Sequence, residues 1–97
     1  MKNQERRLKI SDETALAVRS LHPELKRKIK SALQAVLAGP QAGKALKNEL
    51  EGLRSFRVGK FRVIYRTGTK KEIVEIIAIG PRKVIYEETF RLLQKPV

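Results

Sequence analysis

At 97 residues with 41% hydrophobic content, the chain is long enough for one modest core and too short for two, so residues 1–97 are expected to form a single domain. Its 22 lysines and arginines against 10 acidic residues give a net charge of +12, which exceeds what solubility requires and favours a polyanionic partner. With no cysteine and one histidine, the sequence predicts neither disulfides nor a metal or cofactor site. No apolar run approaches the ~20 residues of a membrane span, so we expect a cytoplasmic protein that does not bind membranes.

The first forty residues predict a short strand and a helical hairpin. Residues 6–10 are consistent with the strand. Ser11 is suited to cap a first helix, because its hydroxyl precedes two acidic residues. Pro23 should end that helix and begin a second one, since the residue before a proline avoids the α conformation. Apolar residues then recur at helical spacing up to Ala38, and Gly39 is expected at the C′ position.

The central stretch predicts a cationic β-hairpin. Residues 41–52 form a loop with room for one helical turn, and residues 53–66 read LRSFRVGKFRVIYR, with five basic residues and no acidic one. Alternating runs flank Gly59-Lys60, which predicts a two-residue turn. Arg57 then lies directly opposite Arg62 on one face, while apolar side chains share the other. Two explanations stay open: an anion lies between the arginines, or the two side chains splay apart in solvent.

The C-terminal third predicts one more strand and a last helix. Residues 67–71 should form a turn, and the mostly apolar residues 72–79 suit a strand inside the sheet that is covered on both faces. Gly80-Pro81 should end this strand. Residues 84–93 show helical spacing, with Tyr86, Phe90 and Leu93 on one face.

An antiparallel meander of three strands brings the end of the third strand beside the hairpin turn. Counting back from the predicted turn places Arg62 roughly opposite Ile76. The expected cationic corner consists of Arg57, Lys60, Arg62, Arg82 and Lys83. Tyr86 either enters the core or points back to this corner, where a phenol among cations can act as a base.

The order of these elements, with LEGLRSFRVGKFRVIYR at residues 50–66 and GPRKVIYEE at residues 80–88, resembles the RelE/ParE superfamily of bacterial toxins from toxin–antitoxin pairs. The resemblance implies an α+β fold in which an N-terminal strand and a helical hairpin pack on a mainly antiparallel sheet, in the order β-α-α-β-β-β-α. RelE-type members cleave messenger RNA in the ribosomal A site, and ParE-type members poison DNA gyrase. A shared fold does not choose between the two activities.

The resemblance also implies site residues. Arg62, Arg82 and Tyr86 match the family's catalytic positions, and Arg57 matches an arginine on the first meander strand. The family pattern has lysines on that strand where this chain has Leu53 and Ser55. Because these lysines are absent, a substitute general base is expected from Glu49, Glu51, Lys60 or Lys83. RNA or phosphate binding is expected from Arg54, Arg57, Lys60 and Lys83.

The implied chemistry is attack by a ribose 2′-OH on the adjacent phosphate, which needs a proton acceptor, cations and a proton donor for the leaving oxygen. Arg57 and Arg62 would stabilise the phosphate, Arg82 would support the leaving group, and Tyr86 would stack or transfer a proton. Expected partners are the ribosome, messenger RNA and an acidic cognate antitoxin; the free toxin should be monomeric. The antitoxin could block the site by covering Arg57, Arg62 and Arg82 or by displacing the last helix, and we favour displacement because this helix is short. The alternatives are a ParE-like, non-catalytic inhibitor of DNA gyrase and a nucleic-acid-binding module without activity.

Overall fold

The computed structural model of the chain describes residues 6–67 and 72–94. Within these residues the elements are β1 (Arg7–Ile10), α1 (Asp12–Arg19), α2 (Pro23–Ala38), β2 (Lys44–Ala45), β3 (Arg54–Val58), β4 (Phe61–Thr67), β5 (Ile73–Pro81) and α3 (Arg82–Leu93), with a 3-10 turn at Asn48–Leu50. The predicted α+β fold is confirmed. The predicted turn at residues 67–71 lies almost wholly outside the described residues. None of the described helices is long and apolar enough to cross a membrane.

The five strands form one sheet in the order β1-β5-β4-β3-β2. The strand β1 runs parallel to β5, and every other pair of neighbours is antiparallel, as in the mainly antiparallel sheet that the sequence predicts. The strand β5 lies inside the sheet, as expected from its apolar sequence. The edge strand β2 was not predicted, because two residues are too few to show an alternating pattern.

The hairpin register is confirmed, whereas the predicted register between β4 and β5 is wrong. Gly59 has a φ of +61°, which suits a tight turn, and Arg57 pairs with Arg62. Arg62 lies opposite Gly80 and not opposite Ile76. The count failed for two reasons: pairing starts with Thr67 opposite Val74, and the register then shifts once more at a β-bulge between Ile64 and Tyr65.

The larger core lies between the helical hairpin and one face of the sheet. Its buried members are Val18, Ile29, Val36, Val63, Tyr65, Val74 and Ile76. Phe56, Val58 and Phe61 pack against them, as the alternation in the hairpin predicts. The side of the hairpin that faces away from the arginines is therefore the core side.

Helix ends follow the sequence signals. The Ser11 side chain accepts a hydrogen bond of 3.1 Å from the Thr14 N–H at the start of α1. At the start of α2, His22 Nδ1 accepts from the Glu24 N–H at 3.2 Å, so the histidine caps a helix. At the end of α2, Gly39 is the C-cap with a φ of −145°, so it lies one position before the expected C′ position and outside the left-handed region typical of C′ glycines. Arg6 instead donates to the last carbonyls of this helix, those of Leu37 and Ala38, at 3.2 Å each.

The helix α3 covers part of the other face of the sheet, over a smaller cluster of Leu53, Ile64, Ala78 and Ile85. It begins two residues earlier than predicted and buries Ile85 and Thr89, whereas Phe90 is 39% and Leu93 40% exposed. The predicted apolar face is therefore wrong. Two adjacent faces of this helix have helical apolar spacing, and periodicity alone does not show which one contacts the sheet.

Tyr65 fastens the loop after α2 to the sheet. Its buried hydroxyl donates to the Pro40 carbonyl at 2.7 Å and accepts from the Gly43 N–H at 2.8 Å. A Cβ on Gly43 would lie 2.6 Å from this hydroxyl oxygen, so the close approach requires glycine. Burial raises the pKa of the Tyr65 hydroxyl, and the Gly43 hydrogen bond and the Arg54 charge oppose this effect.

Tyr65→Phe should lower the free energy of unfolding by about 1–3 kcal/mol, because Pro40 and Gly43 lose their buried partner. Because the folded-state pKa is raised, the unfolded chain ionises first. The Tyr65 contribution is thus complete below about pH 10 and is lost as the pH rises toward the folded-state pKa.

Urea denaturation at pH 7 and between pH 9 and 11 measures both effects, with Tyr86→Phe as the matched control. The stability difference between the wild type and Tyr65→Phe should shrink above about pH 10. A difference that stays constant over this range would contradict the assignment.

Candidate functional site

A cationic corner lies where the β3–β4 hairpin turn meets the start of α3. An open cavity of about 470 Å³ is lined there by Arg57, Gly59, Lys60, Arg62, Pro81, Arg82 and Lys83. The structure thus brings together all five cations that the sequence assigns to the corner. No acidic side chain among the described residues lines the cavity. Within residues 6–67 and 72–94, the only ion pair is Arg66–Glu75, so none of the five cations is neutralised by a carboxylate.

The register of the sheet and one backbone hydrogen bond build this corner. Arg57 and Arg62 are directly opposed on the face that carries α3, and Gly80 is the β5 neighbour of Arg62. A Cβ on Gly80 would lie 3.0 Å from Ile85 Cδ1, so the glycine lets α3 begin close to the sheet. The Arg82 N–H then donates to the Lys60 carbonyl at 2.8 Å and holds the helix start against the hairpin turn.

The half-buried guanidinium of Arg62 folds back over the hairpin turn. Its Nη1 donates to the Phe61 carbonyl at 3.2 Å and to the Gly59 carbonyl at 3.4 Å. Both distances are at or beyond the long end of the hydrogen-bond range, so both bonds are weak. A guanidinium has five N–H donors, and an anion that accepts two of them would bind more strongly than these carbonyls do.

The N-terminus of α3 adds to the positive potential at the corner. Its N-cap residue is Pro81, whose side chain makes no capping hydrogen bond. The positive end of the helix dipole is therefore next to Arg82 and Lys83, the first two residues of the helix. Backbone and side chains at this point both favour an anionic ligand.

The Tyr86 side chain extends across the sheet, on the face that carries Arg57 and Arg62. Its half-buried ring packs against the smaller cluster, and its Oη is 3.0 Å from Ser55 Oγ on β3. Of the two orientations that the sequence left open, the side chain does not join Phe90 in a core; it lies toward the strand that carries Arg57. The buried Ser55 was not predicted as a site residue, although its alternation with Arg57 places both on one face.

Tyr86 does not line the cavity, and three further predicted site residues lie away from the corner. Arg54 lies on the opposite face of β3, where its Nη1 donates to the Gly43 carbonyl at 2.6 Å. Glu49 and Glu51 are exposed in and directly after the 3-10 turn that precedes β3. The cavity is at the far end of this five-residue strand, roughly 17 Å away at the usual rise per residue. Neither carboxylate is therefore placed to act as a base at the corner.

Residues 4–86 match the family model described as ParE toxin of type II toxin-antitoxin system, parDE. Toxin RelE of Mycobacterium tuberculosis is 40% identical over 79 residues, which cover 75% of this chain and 80% of that protein.

Solved structures show the same fold. The toxin–antitoxin complex RelBE2 of Mycobacterium tuberculosis matches with a TM-score of 0.69 and 24% identity over 80% of this chain and 99% of that chain. The RelE–RelB complex of Pyrococcus horikoshii matches with a TM-score of 0.64 and 26% identity over 80% of this chain and 96% of that chain. A free mutant of E. coli RelE has a TM-score of 0.70 at 19% identity, over 90% of this chain and 92% of that chain. Together with the family model and the 40% identical relative, this likeness shows that the chain belongs to the RelE/ParE superfamily of toxins from toxin–antitoxin systems.

Proposed function

We propose that this toxin is an endoribonuclease that cleaves messenger RNA on the ribosome. The observation that supports this most is the cationic corner, because its cavity is lined by five cations and by no acidic side chain from the described part of the chain. Phosphate is the anion that such a site suits, since its oxygens accept paired hydrogen bonds from arginine. The RelE name of the 40% identical relative supports the choice of RNA cleavage.

In the proposed reaction a ribose 2′-OH attacks the adjacent phosphorus, and the bond to the 5′-oxygen of the next nucleotide breaks. Arg57 and Arg62 bind the phosphate oxygens from the sheet, and their charges stabilise the negative charge that gathers in the transition state. Arg82 supports the leaving oxygen from the start of α3, and Lys60 and Lys83 bind neighbouring phosphates. The 2′-OH loses a proton, the 5′-oxygen gains one, and the products end in a 2′,3′-cyclic phosphate and a 5′-OH.

The ribosome supplies what the corner lacks. Within residues 6–67 and 72–94, neither a carboxylate nor an imidazole lines the cavity, so the proton carriers nearby are the two lysines and Tyr86. Orientation of the RNA in the A site would remove much of the entropic barrier to in-line attack. The ribosome also places the proposed activity in the cytoplasm.

Inhibition of DNA gyrase is the second candidate, because the family model that matches is named for ParE toxins. A gyrase inhibitor acts by binding alone and requires no proton transfer. Its activity would therefore tolerate loss of the Tyr86 hydroxyl, whereas RNA cleavage through that hydroxyl would not.

The antitoxin is proposed to act on α3. This helix buries only Ile85 and Thr89, and its other apolar residues Val84, Phe90, Leu92 and Leu93 are 38–47% exposed. A groove of about 510 Å³ runs beside it toward α1. An acidic, partly disordered antitoxin that folds an amphipathic segment onto this surface would displace α3 at low cost and remove Tyr86 and Arg82 from the corner.

Arg62→Ala should lower the cleavage rate by roughly 100-fold or more, because a charge-stabilising donor is lost from the transition state. The free energy of unfolding of this variant should change by only about 0.5 kcal/mol, since the hydrogen bonds that the Arg62 guanidinium makes in the folded chain are weak. Val63→Ala, the next residue, should keep its cleavage rate while folded and lose roughly 1–3 kcal/mol of stability, because Val63 is 0% exposed.

Rates on programmed ribosomes and urea denaturation of both variants separate the two effects. Arg62→Lys, which keeps the charge without the planar fork, should have an intermediate rate. A folded Arg62→Ala variant with wild-type activity would count against the site.

The toxin should cleave messenger RNA on programmed ribosomes and cut the same RNA at least roughly 1000-fold more slowly without ribosomes, because free RNA is not held for in-line attack. Single-turnover rates with and without ribosomes test this directly. Equal rates on the two substrates would show that the corner is a complete catalytic site.

Antitoxin binding should increase amide hydrogen exchange in α3 while β4 stays protected, if the helix is displaced. Hydrogen exchange with mass spectrometry of the free and bound toxin measures both segments. Slower exchange throughout α3 in the complex would instead mean that the antitoxin covers the helix.

A further inference from the structure

A pair of hydroxyl groups joins α3 to the sheet next to the cationic corner. Ser55 Oγ and Tyr86 Oη are 3.0 Å apart, and either hydroxyl is able to donate. Ser55 is only 7% exposed. A buried serine hydroxyl needs a hydrogen-bond partner, and Tyr86 is the side-chain partner that the fold provides.

The hydroxyl pair of Ser55 and Tyr86 lies close to the opposed arginines Arg57 and Arg62. Ser55 and Arg57 are on the same face of β3, two residues or roughly 7 Å apart along the strand. The Tyr86 ring reaches Ser55 by passing over β4, where Ile64 is the pairing partner of Ser55 and belongs to the cluster under the ring. The ring therefore lies over the sheet beside the corner without lining the cavity, and its hydroxyl end is held by Ser55.

We propose that Ser55 is a positioning residue for Tyr86, and that its hydroxyl holds the phenol ring beside the cationic corner in the orientation that cleavage uses. This inference rests on the proposed ribonuclease activity. Ser55 itself contacts Tyr86 and not the reacting atoms.

Two contacts fix the ring. Ile85, the preceding residue in α3, is 1% exposed and holds the helix on the sheet at the Cα end of the Tyr86 side chain. At the other end of the ring, the Tyr86 hydroxyl is held by Ser55. A tyrosine side chain has few rotatable bonds, so these two contacts restrict its orientation before RNA arrives. Less conformational freedom is then lost on binding, and the reacting groups are aligned more often. Without the Ser55 hydroxyl, the Tyr86 hydroxyl would turn toward water and the ring would leave this orientation.

The test is a double-mutant cycle on programmed ribosomes. Ser55→Ala should lower the single-turnover cleavage rate at saturating toxin by roughly 10- to 100-fold, the size expected for a misplaced reacting group. Tyr86→Phe removes the other hydroxyl. If Ser55 acts through Tyr86, the double variant should be no slower than Tyr86→Phe, so the two effects are not additive.

Matched variants exclude a general loss of structure. Ser55→Cys keeps the side-chain shape with a much weaker hydrogen bond and should behave like Ser55→Ala, whereas Ser55→Thr keeps the hydroxyl and should restore much of the rate. Thr89→Val removes a buried hydroxyl of α3 whose Oγ1 has no hydrogen-bond partner among the described residues, and it should leave the rate unchanged. Thermal unfolding shows that each variant is folded at the assay temperature.

The outcomes separate this inference from the proposed function. Wild-type cleavage with an unaffected Ser55→Ala, or with additive losses in the double variant, would overturn the role of Ser55 and leave the ribonuclease proposal intact. If the wild type inhibits growth without cutting RNA, the ribonuclease proposal fails. The positioning role, which rests on RNA cleavage, is then overturned with it.

Discussion

Two arginines held directly opposite each other across a tight hairpin are the constraint on which the rest of the site depends. The Gly59-Lys60 turn sets the register, and the buried apolar residues on the other face of the hairpin fix it, because a slip by one residue would turn Val63 to the arginine face. The arginines are therefore held together by the core, against their mutual repulsion. An anion between them relieves this repulsion, which is the physical reason to expect a phosphate there.

The cationic corner and the neighbouring Tyr86 are held by two parts of the fold, the central sheet and the less firmly packed helix α3. Arg57 and Arg62 belong to strands of the central sheet, whereas Arg82, Lys83 and Tyr86 belong to a helix with two buried residues. The helix is attached at its start by the bond from the Arg82 N–H to the Lys60 carbonyl, and further along by Ile85 and the Ser55 hydroxyl. This division suits a toxin that has to be switched off, because removal of α3 would dismantle the site without unfolding the sheet.

The parts of the fold that follow from local signals were predictable from the sequence. Ser11 and Pro23 gave the helix starts, and Gly59-Lys60 gave the hairpin and its opposed arginines. The register between β4 and β5 and the face of α3 that contacts the sheet depend on segments far apart in the chain, and local sequence patterns do not reveal them. The bulge between Ile64 and Tyr65 moved Gly80 opposite Arg62, and no local pattern reveals such a shift. The choice of the Ile85 face of α3 also depends on the sheet beneath it, which is why Tyr86 was assigned two alternative orientations and Ser55 was missed.

If the cationic corner acts on messenger RNA in the ribosome, toxin induction should create new RNA 5′ ends in cells, and mapping these ends measures the activity directly. Gyrase-dependent DNA breaks are scored in the same cultures. We expect new 5′-OH ends at a fixed position within codons, no increase in DNA breaks, and loss of these ends in cells that express Arg62→Ala. Intact messenger RNA together with gyrase-dependent breaks would contradict it.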